Sequence, residues 1–172
     1  MGAGKIIALI GAFLSLLSVL LSIFLPEFFS WYSIKSSGFG ITGEIYLTGF
    51  GTFIIKGAFP STNEIWVLEL IGGIFVTLGA ILCIVGIVKK SKAAGIIGGI
   101  WILLGPIIFF VHILSNMNDF TGIVEALGVG TGVNVFWGST SISGVSISWG
   151  LWIGFYIAIG GGILGLIGGV KI

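Results

Sequence analysis

The chain has few charges, no arginine, no glutamine, one cysteine and one histidine. Charged residues make up 8% of its 172 positions, whereas a soluble domain needs roughly a quarter. Hydrophobic residues account for 56% of the chain, and the mean hydropathy is +1.25. This composition excludes a soluble domain and predicts a protein whose solvent is the lipid bilayer.

The single cysteine, Cys83, excludes a disulfide within the chain. Eukaryotic cell-surface proteins usually carry disulfides, and many carry the N-x-Ser/Thr glycosylation sequence that this chain also lacks. Together with the absence of arginine and glutamine beside abundant isoleucine, these absences favour an archaeal or bacterial source. One histidine and one cysteine at opposite ends of a bundle cannot form a metal site, so neither a metal nor a cofactor is expected.

Sequence motifs typical of enzymes are absent, or they lie in segments that cannot form the corresponding site. The glycines of GFGITG at 38–43 lie in a loop without a βαβ unit, and GAGK at 2–5 lacks the spacing of a phosphate loop. The chain also lacks a G-x-S-x-G nucleophile elbow. We therefore expect no enzyme activity, and nucleic acid is not an expected partner.

Four apolar segments are long enough to cross a hydrocarbon core of about 30 Å, which takes roughly 20 helical residues. They lie at about 6–25, 66–88, 93–114 and 148–170, and they leave two outer connections at 26–65 and 115–147. Five of the seven lysines lie beside the termini or in the KKSK turn at 89–92, whereas all six acidic residues lie toward the other side. By the positive-inside rule, we expect a multi-pass protein of the cell membrane with cytoplasmic N- and C-termini.

The two outer connections predict a small extracellular β-sheet. FSWYSIK and GEIYLTGFGTFIIKG in the first connection, and GVNVFWG and SISGVSIS in the second, are rich in aromatic and β-branched residues interrupted by glycine. DFTGIVEALG in the second connection predicts a short helix. The expected fold is a single all-α membrane domain, a left-handed four-helix transmembrane bundle that carries this sheet on its outer end.

Small residues recur along one face of each predicted span. Their spacing alternates between three and four residues, which favours left-handed crossing of helices whose backbones approach closely. The second span shows this pattern at Gly72, Gly79 and Gly86, and Pro106 predicts a kink in the third span. In the first span the stripe consists of Gly4, Ala8, Gly11, Ser15, Ser18 and Ser22.

The fourth predicted span carries a second small face at four-residue spacing, formed by Gly150, Gly154, Ala158 and Gly162. One interpretation is that this face packs against another copy of the chain or against a different subunit. The other is that glycine is common in transmembrane helices, so that such a set arises by chance. The sequence does not separate the two.

Two ionisable residues interrupt the apolar spans at their outer ends. Extending the small-residue stripes places Glu69 and His112 on the inward faces of the second and third spans, each about 28 Å above the cytoplasmic boundary. A direct Glu69–His112 pair is therefore expected. Its role is a structural clasp, a hydrated position at the membrane interface, or a site that binds a proton or an ion.

The arrangement resembles the claudin and peripheral myelin protein superfamily. The shared features are four spans with cytoplasmic termini, a longer first outer connection with a tryptophan and strands, a short basic turn, and a proline in the third span. Trp31 stands where the family has the first tryptophan of its W…GLW…C…C signature, whereas GLW and both cysteines are absent from this connection. The resemblance implies one sheet above a left-handed bundle and side-by-side association of copies.

Two classes of function fit these features. The first is a structural or scaffolding membrane protein that self-associates laterally as a homo-oligomer, with adhesion through its outer connections. The second is a small accessory subunit of a membrane transport or redox complex, in which other membrane subunits would be the partners and Glu69 and His112 would take part.

Overall fold

A computed structural model describes residues 2–57, 65–115, 134, 136–142 and 144–172. Its helices are α1 (Ala3–Phe24), α2 (Pro26–Phe29), α3 (Val67–Lys89), α4 (Lys92–Ser115) and α5 (Ile153–Val170). Its strands are β1 (Tyr32–Gly38), β2 (Ile41–Leu47), β3 (Phe53–Gly57), β4 (Trp137–Ile142) and β5 (Val145–Leu151). The short helix predicted at DFTGIVEALG lies outside the described residues.

The four long helices α1, α3, α4 and α5 form a bundle, and each is long and apolar enough to cross a membrane. α1 packs against α3 and α5, and α4 packs against the same two helices. Each helix therefore has two main neighbours. α4 continues through the buried Pro106 as one helix. The kink at this residue and the left-handed crossing of the helices stay predictions.

Glycines bring the helix backbones into direct contact. A Cβ atom built on Gly11 would lie 2.4 Å from the backbone nitrogen of Gly165, and one on Gly79 would lie 2.7 Å from the carbonyl oxygen of Gly98. A larger residue at these positions would push the helices apart. Close van der Waals contact of this kind is the main source of helix association in a bilayer, where lipid offers no hydrophobic drive between helices.

The small residues of α5 serve two neighbours within the same chain. A Cβ atom on Gly161 or Gly168 would collide with α1, whereas one on Gly162 or Gly169 would collide with α4. Ala158 is fully buried in the bundle. Packing inside the chain therefore explains these glycines of α5, whereas a Cβ atom on Gly160 would meet no described atom within 4 Å.

At two positions of the predicted second face, the glycine does not face another long helix of the bundle. Gly150 belongs to β5, because α5 begins at Ile153 and not at about 148 as predicted. Hydropathy starts this span too early because residues 148–152 are uncharged and continue directly into the apolar helix, and an apolar run does not distinguish a buried strand from a helix. Gly154 is helical but contacts α2, since its Cβ atom would lie 1.9 Å from the carbonyl oxygen of Phe29.

The strands form one antiparallel sheet in the order β3-β2-β1-β5-β4. The central strand β1 pairs Tyr32 with Leu47 of β2 and with Leu151 of β5, so the two connections build the sheet jointly. Strands β1–β3 lie between α1 and α3, and β4 and β5 lie between α4 and α5, which places the sheet at the end of the bundle opposite the turn at 89–92. The predicted strand at SISGVSIS is wrong, because this segment contains the β4–β5 turn at Gly144, where φ is +85°.

Gly160 and Gly161 offer a matched test of this packing. A Cβ atom on Gly161 would lie 2.2 Å from Ser15 Oγ, whereas one on Gly160 would have no described atom within 4 Å. We predict that Gly161→Ala lowers the free energy of unfolding by roughly 1–3 kcal/mol, the usual cost of overpacking. Gly160→Ala should change it by less than about 1 kcal/mol. Unfolding in detergent micelles measures both, and equal effects would contradict the packing of α5 on α1.

Candidate functional site

The candidate site lies where the β2–β3 connection, residues 48–52, enters the sheet end of the bundle. Thr48 is fully buried, and its hydroxyl lies 2.7 Å from the Thr52 hydroxyl and accepts a hydrogen bond from the Thr52 N–H at 3.2 Å. The N–H of Gly51 donates to the carbonyl oxygen of Thr48 at 3.0 Å. These bonds satisfy polar groups of the connection, which we call the inserted loop, so that it can lie among apolar helices.

Glycines let the inserted loop lie directly on α3. A Cβ atom on Gly73 would lie 2.5 Å from the carbonyl oxygen of Gly49, and one on Gly51 would lie 2.7 Å from the Cβ atom of Glu69. Gly51 has a φ of +73°, a left-handed conformation that favours glycine. Its carbonyl oxygen accepts a hydrogen bond from the N–H of Trp66 at 3.0 Å. The loop therefore covers the first turn of α3, where Glu69 lies.

Two serines of α1 form buried hydrogen bonds on the other side of this region. Ser22 Oγ accepts a hydrogen bond from the N–H of Gly49 at 3.0 Å. Ser18 Oγ accepts one from the indole nitrogen of Trp31 at 3.0 Å and donates one to the carbonyl oxygen of Gly154 at 2.7 Å. All three bonds are buried, and in an apolar interior each would leave an unsatisfied polar group if it were broken.

Trp31 completes the attachment of the sheet. Its side chain is fully buried, and its ring packs edge-on against Phe109 of α4 at 5.2 Å and Phe155 of α5 at 6.1 Å between centroids. We call Ser18, Ser22, Trp31 and the inserted loop the joint. Through these residues the sheet contacts all four long helices.

Glu69 and His112 meet beside the joint. His112 Nδ1 and Glu69 Oε1 are in direct hydrogen-bonding contact between α4 and α3, which is the pairing that their spacing predicts. The Glu69 side chain is 0% exposed and that of His112 is 18% exposed. The ring of Trp66 packs edge-on against the imidazole at 5.0 Å. Because protein encloses Glu69, hydration at an open interface does not account for its position.

The second carboxyl oxygen of Glu69 has a different environment. Oε2 is buried, and no hydrogen-bond partner for it exists among the described residues. A buried carboxylate oxygen without a partner is costly. The imidazole of His112 compensates this cost at Oε1, and the contact connects α3 to α4.

The remaining bundle offers few groups for other chemistry. In the part of the chain that the structure describes, no cluster of three histidine, cysteine, aspartate or glutamate residues could hold a metal ion. Below Glu69 and His112, the four long helices contain no acidic or basic residue until the lysines at the opposite end. These helices therefore do not supply a chain of charged groups that would carry protons across the membrane.

The predicted packing residues of α3 are found at its contact with α4. Cβ atoms on Gly72, Gly79 and Gly86 would each lie within 3.0 Å of an α4 backbone atom or of the turn that precedes it. The joint, in contrast, was not predicted. The small-residue pattern of α1 identifies Ser18 and Ser22 as packing residues, whereas the structure shows that both hydroxyls form buried hydrogen bonds. The sequence does contain one signal for the joint, because the small-residue stripe of α1 changes from glycine and alanine to serine toward the sheet.

No protein-family model matches the sequence, and no curated protein matches it. The function proposed below therefore depends on the geometry of the chain itself.

A double-mutant cycle tests the Glu69–His112 pair. His112→Ala leaves a buried carboxylate without its partner, so it should lower the free energy of unfolding by about 3–5 kcal/mol. In a Glu69→Gln background this charge is absent, and the same substitution should cost at most about 2 kcal/mol. Unfolding of the four proteins in one detergent gives the coupling energy. If His112→Ala costs the same in both backgrounds, the two side chains do not interact.

Proposed function

We propose that this protein is an integral membrane protein with a structural role, in which the bundle is the anchor and the sheet meets partners outside the cell. The joint is the observation that carries this proposal. Its buried hydrogen bonds and its packing on four helices fix the sheet on the bundle. A sheet held in this way keeps one orientation relative to the membrane plane, as a scaffold or adhesion surface requires.

The proposed orientation places both termini and the turn at 89–92 in the cytoplasm of an archaeal or bacterial cell. The lysines concentrated at that end support it through the positive-inside rule. At the sheet end, Lys56 forms an ion pair with Glu27, and this ammonium group holds the pKa of the Glu27 carboxyl below its usual range. A lysine that is paired in this way adds little net positive charge to the outer side.

In this proposal, copies associate side by side through the sheet. The glycine faces of α5 are already occupied within the chain. Among the described strands, β3 and β4 are the edges of the sheet, and the residues of β4, Trp137–Ile142, include neither a charge nor a proline. Such an edge is open to pairing with a further strand. The resemblance to claudins and peripheral myelin proteins, whose members associate side by side, also favours this mode.

A second candidate is an accessory subunit of a membrane transport or redox complex. The enclosed Glu69–His112 pair favours it, because an ionisable pair within an otherwise apolar bundle is a common mark of a functional position in a membrane protein. In that case other subunits would have to supply the remaining proton-carrying groups.

Mild-detergent extraction followed by native mass measurement tests the proposal. We expect complexes whose masses are multiples of the 18.0 kDa chain. Thr140→Lys places a charge on the edge strand β4 and should shift the distribution toward the single chain. Thr42→Lys, the same change on the interior strand β2, is the matched control and should leave the distribution unchanged. A single 18.0 kDa species would contradict self-association, and a fixed set of other subunits would favour the second candidate.

A further inference from the structure

A concave pocket lies on one face of the sheet, away from the joint. Its volume is about 480 Å³, and eight of the eleven described residues that line it are serines or threonines. The strand register explains this concentration of hydroxyl groups. Ser148 pairs with Lys35 on one side and with Ser139 on the other, and Ser146 pairs with Ser37 and Ser141, so these side chains share one face of three neighbouring strands.

The pocket has an uncharged floor. Short hydroxyl side chains lie side by side on this face of the strands β1, β5 and β4. A hydroxyl both donates and accepts hydrogen bonds, so this floor complements other hydroxyl groups without favouring a charge of either sign. We refer to the pocket as the hydroxyl cradle.

The two charged residues of the cradle lie at one side of it. Lys35 and Glu44 are direct cross-strand partners. Such pairs commonly attract each other, but no ion pair joins these two within the described residues. Instead, Lys35 Nζ lies 4.9 Å from the ring centre of Trp152 and 5.6 Å from that of Tyr46. The two residues therefore contribute one donor and one acceptor separately.

Tyr46 keeps the carboxylate of Glu44 in place. Its hydroxyl donates a hydrogen bond to Glu44 Oε2 at 2.8 Å. Burial raises the pKa of Tyr46, and the Glu44 carboxylate raises it further, so this hydroxyl remains a donor at all physiological pH values. Glu44 retains its other oxygen for a ligand at the edge of the cradle.

An exposed indole lies on the same face of the sheet as the cradle, one pair of residues closer to the bundle. Trp137 is 65% exposed, and it lies two residues before Ser139 on the same face of β4. An aromatic ring offers a flat apolar surface that can cover the C–H face of a ring in a ligand. Beside a floor of hydroxyl groups, this surface suits a ligand that is polar around its rim and apolar on its faces.

We propose that the hydroxyl cradle binds a neutral saccharide, either free or carried by a lipid headgroup. Many hydroxyl groups, one donor cation, one acceptor carboxylate and one exposed indole are the complements of a sugar ring. A phosphate or sulfate group would need further cations. The negative charge of Glu44 offsets the positive charge of Lys35, and the Lys35 ammonium group already lies over aromatic rings. The volume lies within the range of roughly 300–1,000 Å³ that is usual for small-molecule sites. This site goes beyond the structural role proposed above and does not require association of copies.

The experiment uses the full chain in phosphatidylcholine nanodiscs. A panel of soluble neutral mono- and disaccharides is titrated, and binding is followed by calorimetry. In a second arm, vesicles with and without a neutral glycosyl diglyceride are tested for capture of the nanodiscs. Binding in the first arm assigns a free saccharide, and capture in the second arm alone assigns a lipid headgroup. Either result supports the proposal, whereas binding in neither arm, or binding of inorganic phosphate alone, overturns it.

Matched substitutions locate the binding. Ser148→Phe fills the cradle from an exposed position, and Trp137→Ala removes the indole; each should weaken saccharide binding at least tenfold. Ser115→Phe and Phe28→Ala, which change exposed residues outside the cradle, should leave affinity unchanged. Circular dichroism checks that all four variants are folded. If both cradle variants are folded and bind as the unmodified chain does, the cradle is not the binding site.

Discussion

The rest of the structure depends on the joint, where a backbone turn is buried at the end of an apolar bundle. Apolar side chains offer no hydrogen-bond partners, so buried polar backbone groups at this position must find partners within the chain. Thr48 supplies them inside the inserted loop, and Ser18 and Ser22 supply them from α1. Glycines at 49, 51 and 73 provide the space. The enclosure of Glu69 and the fixed position of the sheet both follow from this arrangement.

Much of this architecture could be predicted, because length and hydropathy are sufficient to find helices that could cross a membrane. Glu69 and His112 could also be paired, since counting the helical rise from the turn at 89–92 places them at one height. Where α5 begins could not be predicted, because Gly150 and its neighbours form an apolar strand that hydropathy does not distinguish from a helix. The hydrogen bonds of Ser18 and Ser22 could not be predicted either, because their partners are distant in sequence.

The packing of α5 within the chain leaves the sheet as the better candidate for contacts with partners. A surplus of glycine on α5 has two explanations in the sequence, and the structure favours a third for Gly161, Gly162, Gly168 and Gly169, namely two neighbours in the same chain. Among the described residues, two surfaces of the sheet stand out chemically. They are the uncharged edge strand β4 and the hydroxyl cradle. The bundle contributes rigidity, and the Glu69–His112 pair adds a connection between α3 and α4 directly beside the joint.

Hydrogen exchange of single amides in nanodiscs tests most directly whether the sheet and the bundle form one unit. The informative amides are those of Trp31, Gly49 and Trp66, which donate to Leu47, Ser22 and Gly51 respectively. If the joint fixes the sheet, these amides exchange as slowly as those in the middle of α1 and α3, and they open together with them. Rapid exchange of these three amides while the helices stay protected would show that the sheet is only tethered, and would contradict the account.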